Sequence, residues 1–128
     1  MSFDKKYLIW ALSYAVVGMS LGIFMAASGN HGELVAHAHI LLIGFAVSFF
    51  YGLIHRLWLS QPGKTLAWVQ FVLHQVATFT VSVGLLLFYG GYVGEATIGP
   101  VLGLGASGVL AGMLLMLFMV VKAGGRTA

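Results

Sequence analysis

Four long apolar stretches, broken by short polar segments, take up nearly the whole chain, at about residues 6–27, 34–59, 66–89 and 96–121. Each meets the roughly 20 predominantly apolar residues that a helix needs to cross a hydrocarbon layer. The breaks leave no room for a soluble domain. The pattern therefore predicts one all-α domain over residues 1–128, a polytopic membrane protein of four transmembrane helices. The first stretch follows a short start containing Asp4, Lys5 and Lys6 and is long enough to span, so it is expected to be retained rather than cleaved as a signal peptide.

Composition sharpens this. Of 128 residues, 60% are hydrophobic and 7% charged, and mean hydropathy is +1.01. A water-soluble domain of this size cannot bury so much apolar surface, so lipid is the expected solvent of its exterior. Lys5 and Lys6 precede the first span, Arg56 and Lys64 flank the second connection, and Lys122 and Arg126 follow the fourth span. If the spans alternate, all six basic residues fall on one side, which the positive-inside rule makes cytoplasmic. Glu33 and Glu95 fall on the other. The expected topology is N-in, C-in, in a bacterial-type inner membrane. The net charge of +3 then reflects topology and is no nucleic-acid footprint. With no cysteine, disulfides, thiolate metal sites and covalently attached c-type haem are excluded.

Within the first span, Tyr7 and Trp10 are read as interfacial rings near the inner end, and Gly18-Met19-Ser20-Leu21-Gly22 as a small-xxx-small pattern for close helix packing. In the second, His37, Leu41, Gly44, Ser48, Tyr51 and His55 lie near one face. Gly44 and Ser48 leave that face low, open to a flat ligand or another helix. His55 lies about 27 Å along the axis from His37, too far to share a ligand, and beside Arg56 and Trp58 reads as interfacial. The third span carries Gln70, His74, Gln75 and Thr78, a polar stripe expected to face the bundle interior. His74 is read either as hydrogen-bonded to a neighbouring helix or as a ligand, proton-relay or quinone contact. The fourth span is glycine-rich, with Gly99, Gly103, Gly105, Gly108 and Gly112 suited to packing, including against another protomer.

The chemistry centres on His37 and His39. Ionisable side chains inside a bilayer are costly and mark function. Two positions apart, they point about 200° apart around a helix, so one metal ion cannot easily take both; they read as two half-sites facing opposite ways. From spacing alone a haem, a small polar network and another metal all stay open, since imidazole binds iron, copper and zinc alike.

The segment Val35-Ala36-His37-Ala38-His39-Ile40-Leu41-Leu42-Ile43-Gly44, continuing to Gly52-Leu53-Ile54-His55-Arg56-Leu57-Trp58, resembles the haem-ligand helix of the haem–copper oxidase superfamily. In that family a Val-Ala-His-x-His start holds two haems on opposite sides of one helix, and the catalytic subunit consists of three quasi-equivalent arcs of four spans. This chain is one arc long. Carried over, the resemblance implies that His37 of one protomer and His39 of the next clamp a haem b, in a homotrimer closed by cyclic symmetry. It also implies a role in electron transfer or in redox or gas sensing. The family's copper-ligand motifs, a His-His pair and a His-x-x-x-Tyr, are missing, so a complete oxidase is not implied.

The expected cofactor-binding residues are His37, His39, Gly44 and Ser48, with His37 and His39 as metal ligands and His74 a further candidate. Asn30, His31 and Glu33 sit nearby, and His31 reads as a loop-capping side chain. Two other classes stay open: a zinc or copper site built from histidines of several protomers, and an accessory or assembly subunit of a respiratory complex.

Overall fold

The structure, a computed structural model, describes residues 1–124, so Arg126 lies outside the described residues. It contains four long helices and, among the described residues, no strand: α1 (Phe3–Ser28), α2 (Leu34–Leu57), α3 (Lys64–Tyr89) and α4 (Glu95–Lys122). All four are long and apolar enough to cross a membrane. Their ends fall within about one helical turn of those expected from the hydrophobic pattern.

The helices alternate in direction. At one end Asp4 of α1 pairs with Arg56 of α2 at 3.6 Å, and Phe3 stacks edge-on against Trp68 of α3. At the other end Gly22 of α1 faces His37 of α2, and Gly84 of α3 faces Leu102 and Ile98 of α4. α1 stops where Gly29 adopts φ 71°, which a residue without a Cβ reaches freely; its N–H bonds the Met25 carbonyl at 3.0 Å.

Missing side chains bring the helices together in two pairs. On α1 and α2, a Cβ at Gly18 would lie 2.6 Å from Leu41 and one at Gly44 would lie 2.7 Å from Tyr14. On α3 and α4, Gly105 faces Val81, Gly108 faces Ala77 and Gly112 backs onto His74. The small-residue patterns of α1 and α4 thus serve packing, as their spacing predicted. Gly99 and Gly103 differ: nothing lies within 4 Å of where their Cβ atoms would be. α3 is central, with 44% of its most apolar window buried against 22% for α1 and α4. The larger core cluster sits toward the end of the bundle that carries Met1, joining Tyr7, Tyr51, Phe71, Met116 and Met119.

α2 is not a uniform helix. From Ile40 to Ala46 it widens into a π-helical segment, in which Val47 N–H reaches back five residues to the Leu42 carbonyl. Such insertions are rare and concentrate at functional sites. Here the segment begins directly after His39. Leu41 and Gly44 before its end and Gly52 and His55 beyond it pack on α1, while Ser48 meets α3 and Tyr51 touches α1, α3 and α4. Ser48 thus leaves the face that a regular helical repeat gives it.

Candidate functional site

His37 and His39 both lie in the α-helical turn that precedes the π segment. They are half-buried and anchored in different ways. His37 Nδ1 lies 2.8 Å from the Gly18 carbonyl on α1, while His39 Nδ1 lies 2.8 Å from the Val35 carbonyl of its own helix. A carbonyl oxygen can only accept a hydrogen bond, so each Nδ1 carries the proton and donates it. Each Nε2 is left with its lone pair. Among the described residues neither Nε2 has a partner, and neither is among the buried unpartnered atoms. Both are therefore accessible at the surface, on residues that a helix sets about 200° apart around its axis.

This is the state a metal-binding histidine requires. The ligating nitrogen is unprotonated and free, and the other nitrogen is held by an acceptor that fixes the tautomer and the ring plane. Among the described residues no three histidine, cysteine or acidic side chains cluster closely enough to hold a metal ion. One chain thus presents two separate accessible imidazole nitrogens, one on His37 and one on His39.

The other expected site residues are placed elsewhere. Gly44 is buried against the Tyr14 ring, so of its two expected occupants it receives a helix and offers no platform to a flat ligand. Ser48 is fully buried with its hydroxyl 3.1 Å from His74 Nε2, which likewise takes it away from the His37 surface. His74 is itself fully buried. Thr78 Oγ1 approaches its ring at 3.4 and 3.5 Å, the Tyr51 ring stands edge-on to it at 4.9 Å, and Gly112 of α4 closes its backbone side. Its ring is engaged inside the bundle, which is the hydrogen-bonded alternative of the sequence reading.

Beside it runs a second buried connection that sequence reasoning missed. The Tyr7 hydroxyl donates to Gln70 Oε1, and Gln70 Nε2 donates to the Gly112 carbonyl at 3.1 Å. Tyr7 is fully buried instead of lying at an interface, because its hydroxyl finds this acceptor inside the bundle. His55 is also corrected. It is 6% exposed, stacked between Phe3 and Tyr7 at 5.3 and 5.7 Å, while its neighbours Arg56 and Trp58 take the exposed positions. Tyr7, Ala11, Tyr14, Gly18 and Met25 recur at helical spacing and are all buried, so the signal for the inward face of α1 was present in the sequence.

At the far end, His31 is exposed in the loop after α1, its Nδ1 3.2 Å from the Gly29 carbonyl. Glu33, at the start of α2, has one carboxylate oxygen buried without a partner, and this burial pushes its pKa above the usual carboxylate range. No protein-family model, curated protein or solved structure matches this chain.

Proposed function

We propose that this chain is a membrane-embedded subunit that binds haem b between protomers and serves electron transfer. His37 Nε2 of one copy and His39 Nε2 of the next would be the two iron ligands. The observation that carries this reading is the matched state of the two rings. Each has Nδ1 fixed on a backbone carbonyl and an accessible, unpartnered Nε2 among the described residues, on positions about 200° apart around the helix. A half-site of one nitrogen needs a second copy to complete it, and two half-sites facing opposite ways extend the pairing around a closed ring. The resemblance of residues 35–58 to the haem-ligand helix of the haem–copper oxidases favours a three-membered ring with the same pairing of ligands.

Haem supplies one-electron chemistry when bound, and the protein's contribution is the two imidazoles and their hydrogen-bond acceptors. With both axial positions taken by histidine no position stays open for a gas, so electron transfer fits better than catalysis or gas sensing. The exterior supports membrane insertion: Val16, Ile23, Leu104 and Val121 are each 65–76% exposed. The basic residues Lys5, Lys6, Arg56, Lys64 and Lys122 gather at one end, which supports an N-in, C-in orientation in an inner membrane. A zinc or copper site would have to draw all but one or two ligands from other copies, given the lack of a three-ligand cluster among the described residues.

The test is the visible spectrum of the purified protein, oxidised and reduced. A stoichiometric Soret band with sharp reduced α and β bands is expected. His37→Ala and His39→Ala should each abolish the bis-imidazole spectrum, and His55→Ala should leave it intact. Full haem loading in either of the first two variants would sink the assignment.

A further inference from the structure

The two proposed ligands are held by different parts of the molecule. His39 is anchored within α2, by the carbonyl one turn behind it. His37 is anchored across a helix–helix contact, by the Gly18 carbonyl of α1. The ring lies against Gly22 of the same helix. A Cβ at Gly22 would fall 2.9 Å from His37 Cε1, 3.5 Å from Nδ1 and 3.6 Å from Nε2. Ordinary carbon–carbon contact begins near 3.5 Å, so a single methyl group cannot be added without moving the ring. The helices themselves cannot easily part to make room, because Leu41, one turn on, is seated tightly over Gly18.

We infer that Gly22 and Gly18 of α1 are positioning residues for His37, Gly22 by the room it leaves and Gly18 by the carbonyl it presents. The inference rests on the haem reading above and deepens it. The α1–α2 contact sets the ring plane and tautomer of one ligand, while the other is set by α2 alone. Any shift of α1 along α2 then changes His37 and leaves His39 in place, so the two ligands of one haem are tuned independently.

The experiment titrates haem b into detergent-solubilised apoprotein and compares Gly22→Ala with the native chain, alone and in a His37→Ala background. Acceptors that orient a ligand typically contribute about 10–100-fold in affinity, and a loss of that order is expected for Gly22→Ala. Part of the ferric haem should turn high-spin, and added imidazole should restore the low-spin spectrum because His39 still holds its side. In the His37→Ala background the methyl group meets no ring, so Gly22→Ala should leave haem affinity unchanged and should not lower the thermal midpoint, which the helix preference for alanine should raise slightly. Gly94→Ala, at a loop glycine with open space around it, is the neutral control.

Native affinity and spin state in Gly22→Ala would overturn the inference. So would an equal loss with and without the His37 ring. Should Gly22→Ala unfold the native chain but not His37→Ala, the contact itself is confirmed. A native chain that takes up no haem refutes the haem reading instead, and the thermal-midpoint cycle still decides whether Gly22 positions the ring.

Discussion

Gly44→Ala separates packing from cofactor binding at the position where the sequence suggested a ligand platform. The added Cβ would lie 2.7 Å from both Cδ1 and Cγ of Tyr14 and 3.0 Å from its Cβ. Against an ordinary contact of about 3.5–4.0 Å, the overlap is roughly 1 Å, and it falls on the root of the side chain, which cannot swing aside. Overpacking of this kind costs about 1–3 kcal/mol. Alanine is better than glycine inside a helix by about 1 kcal/mol, which offsets part of it. A net loss of up to about 2 kcal/mol is expected, up to about a 30-fold shift in the folded-to-unfolded ratio at about 1.4 kcal/mol per tenfold. The assay is reversible unfolding in mixed detergent micelles, followed by helix content. Removing the ring with Tyr14→Ala takes away both 2.7 Å contacts and leaves only the one at 3.0 Å to Cβ, so most of the cost should go, and a double-mutant cycle isolates the ring's share. The haem spectrum should not change. Loss of haem at unchanged stability would refute this reasoning and return Gly44 to the cofactor.

The buried polar groups give three further predictions. Tyr7→Phe leaves Gln70 Oε1 without its donor and should destabilise the fold by about 1–3 kcal/mol, whereas Trp10→Phe at an exposed position should be near neutral in the same unfolding assay. His74→Ala strands Ser48 in the interior and should cost a similar amount, about 1–3 kcal/mol, with the low-spin spectrum retained; a lost spectrum in a folded variant would make His74 a ligand after all. Because burial raises the Glu33 pKa in the folded chain, its ionisation opposes folding at neutral pH. Glu33→Gln should therefore raise the thermal midpoint at pH values above the folded-state pKa of Glu33, and the gain should disappear as pH falls below the ordinary glutamate value. A gain that grows on acidification would contradict the sign.

The four helices were legible because apolar runs of this length have one stable outcome in lipid, and the basic residues mark their ends independently. His37 and His39 stood out because charge-bearing side chains are rare in such runs. The π segment was not legible. Ile40 to Ala46 reads as ordinary apolar helix, and no residue in it announces five-residue hydrogen bonding. Projecting a regular repeat through it placed Ser48 on the face of His37, whereas it packs on His74 of α3; Gly44 does keep that face, but the Tyr14 ring of α1 fills the space beside it. Tyr7 and His55 were assigned to the interface from their position near span ends. Position alone does not reveal an acceptor such as Gln70 or a stacking partner such as Phe3 on another helix.

Whether one haem is held by histidines of two copies is decided by mixing two complementary variants. His37→Ala chains retain His39, and His39→Ala chains retain His37. Neither alone should give a bis-imidazole haem. Co-expressed and purified together, they form junctions in which an intact His37 meets an intact His39, and a substoichiometric low-spin Soret band should return. Mixed oligomers without that spectrum, beside a fully loaded native protein, would show that both ligands of each haem come from one chain and would contradict the account.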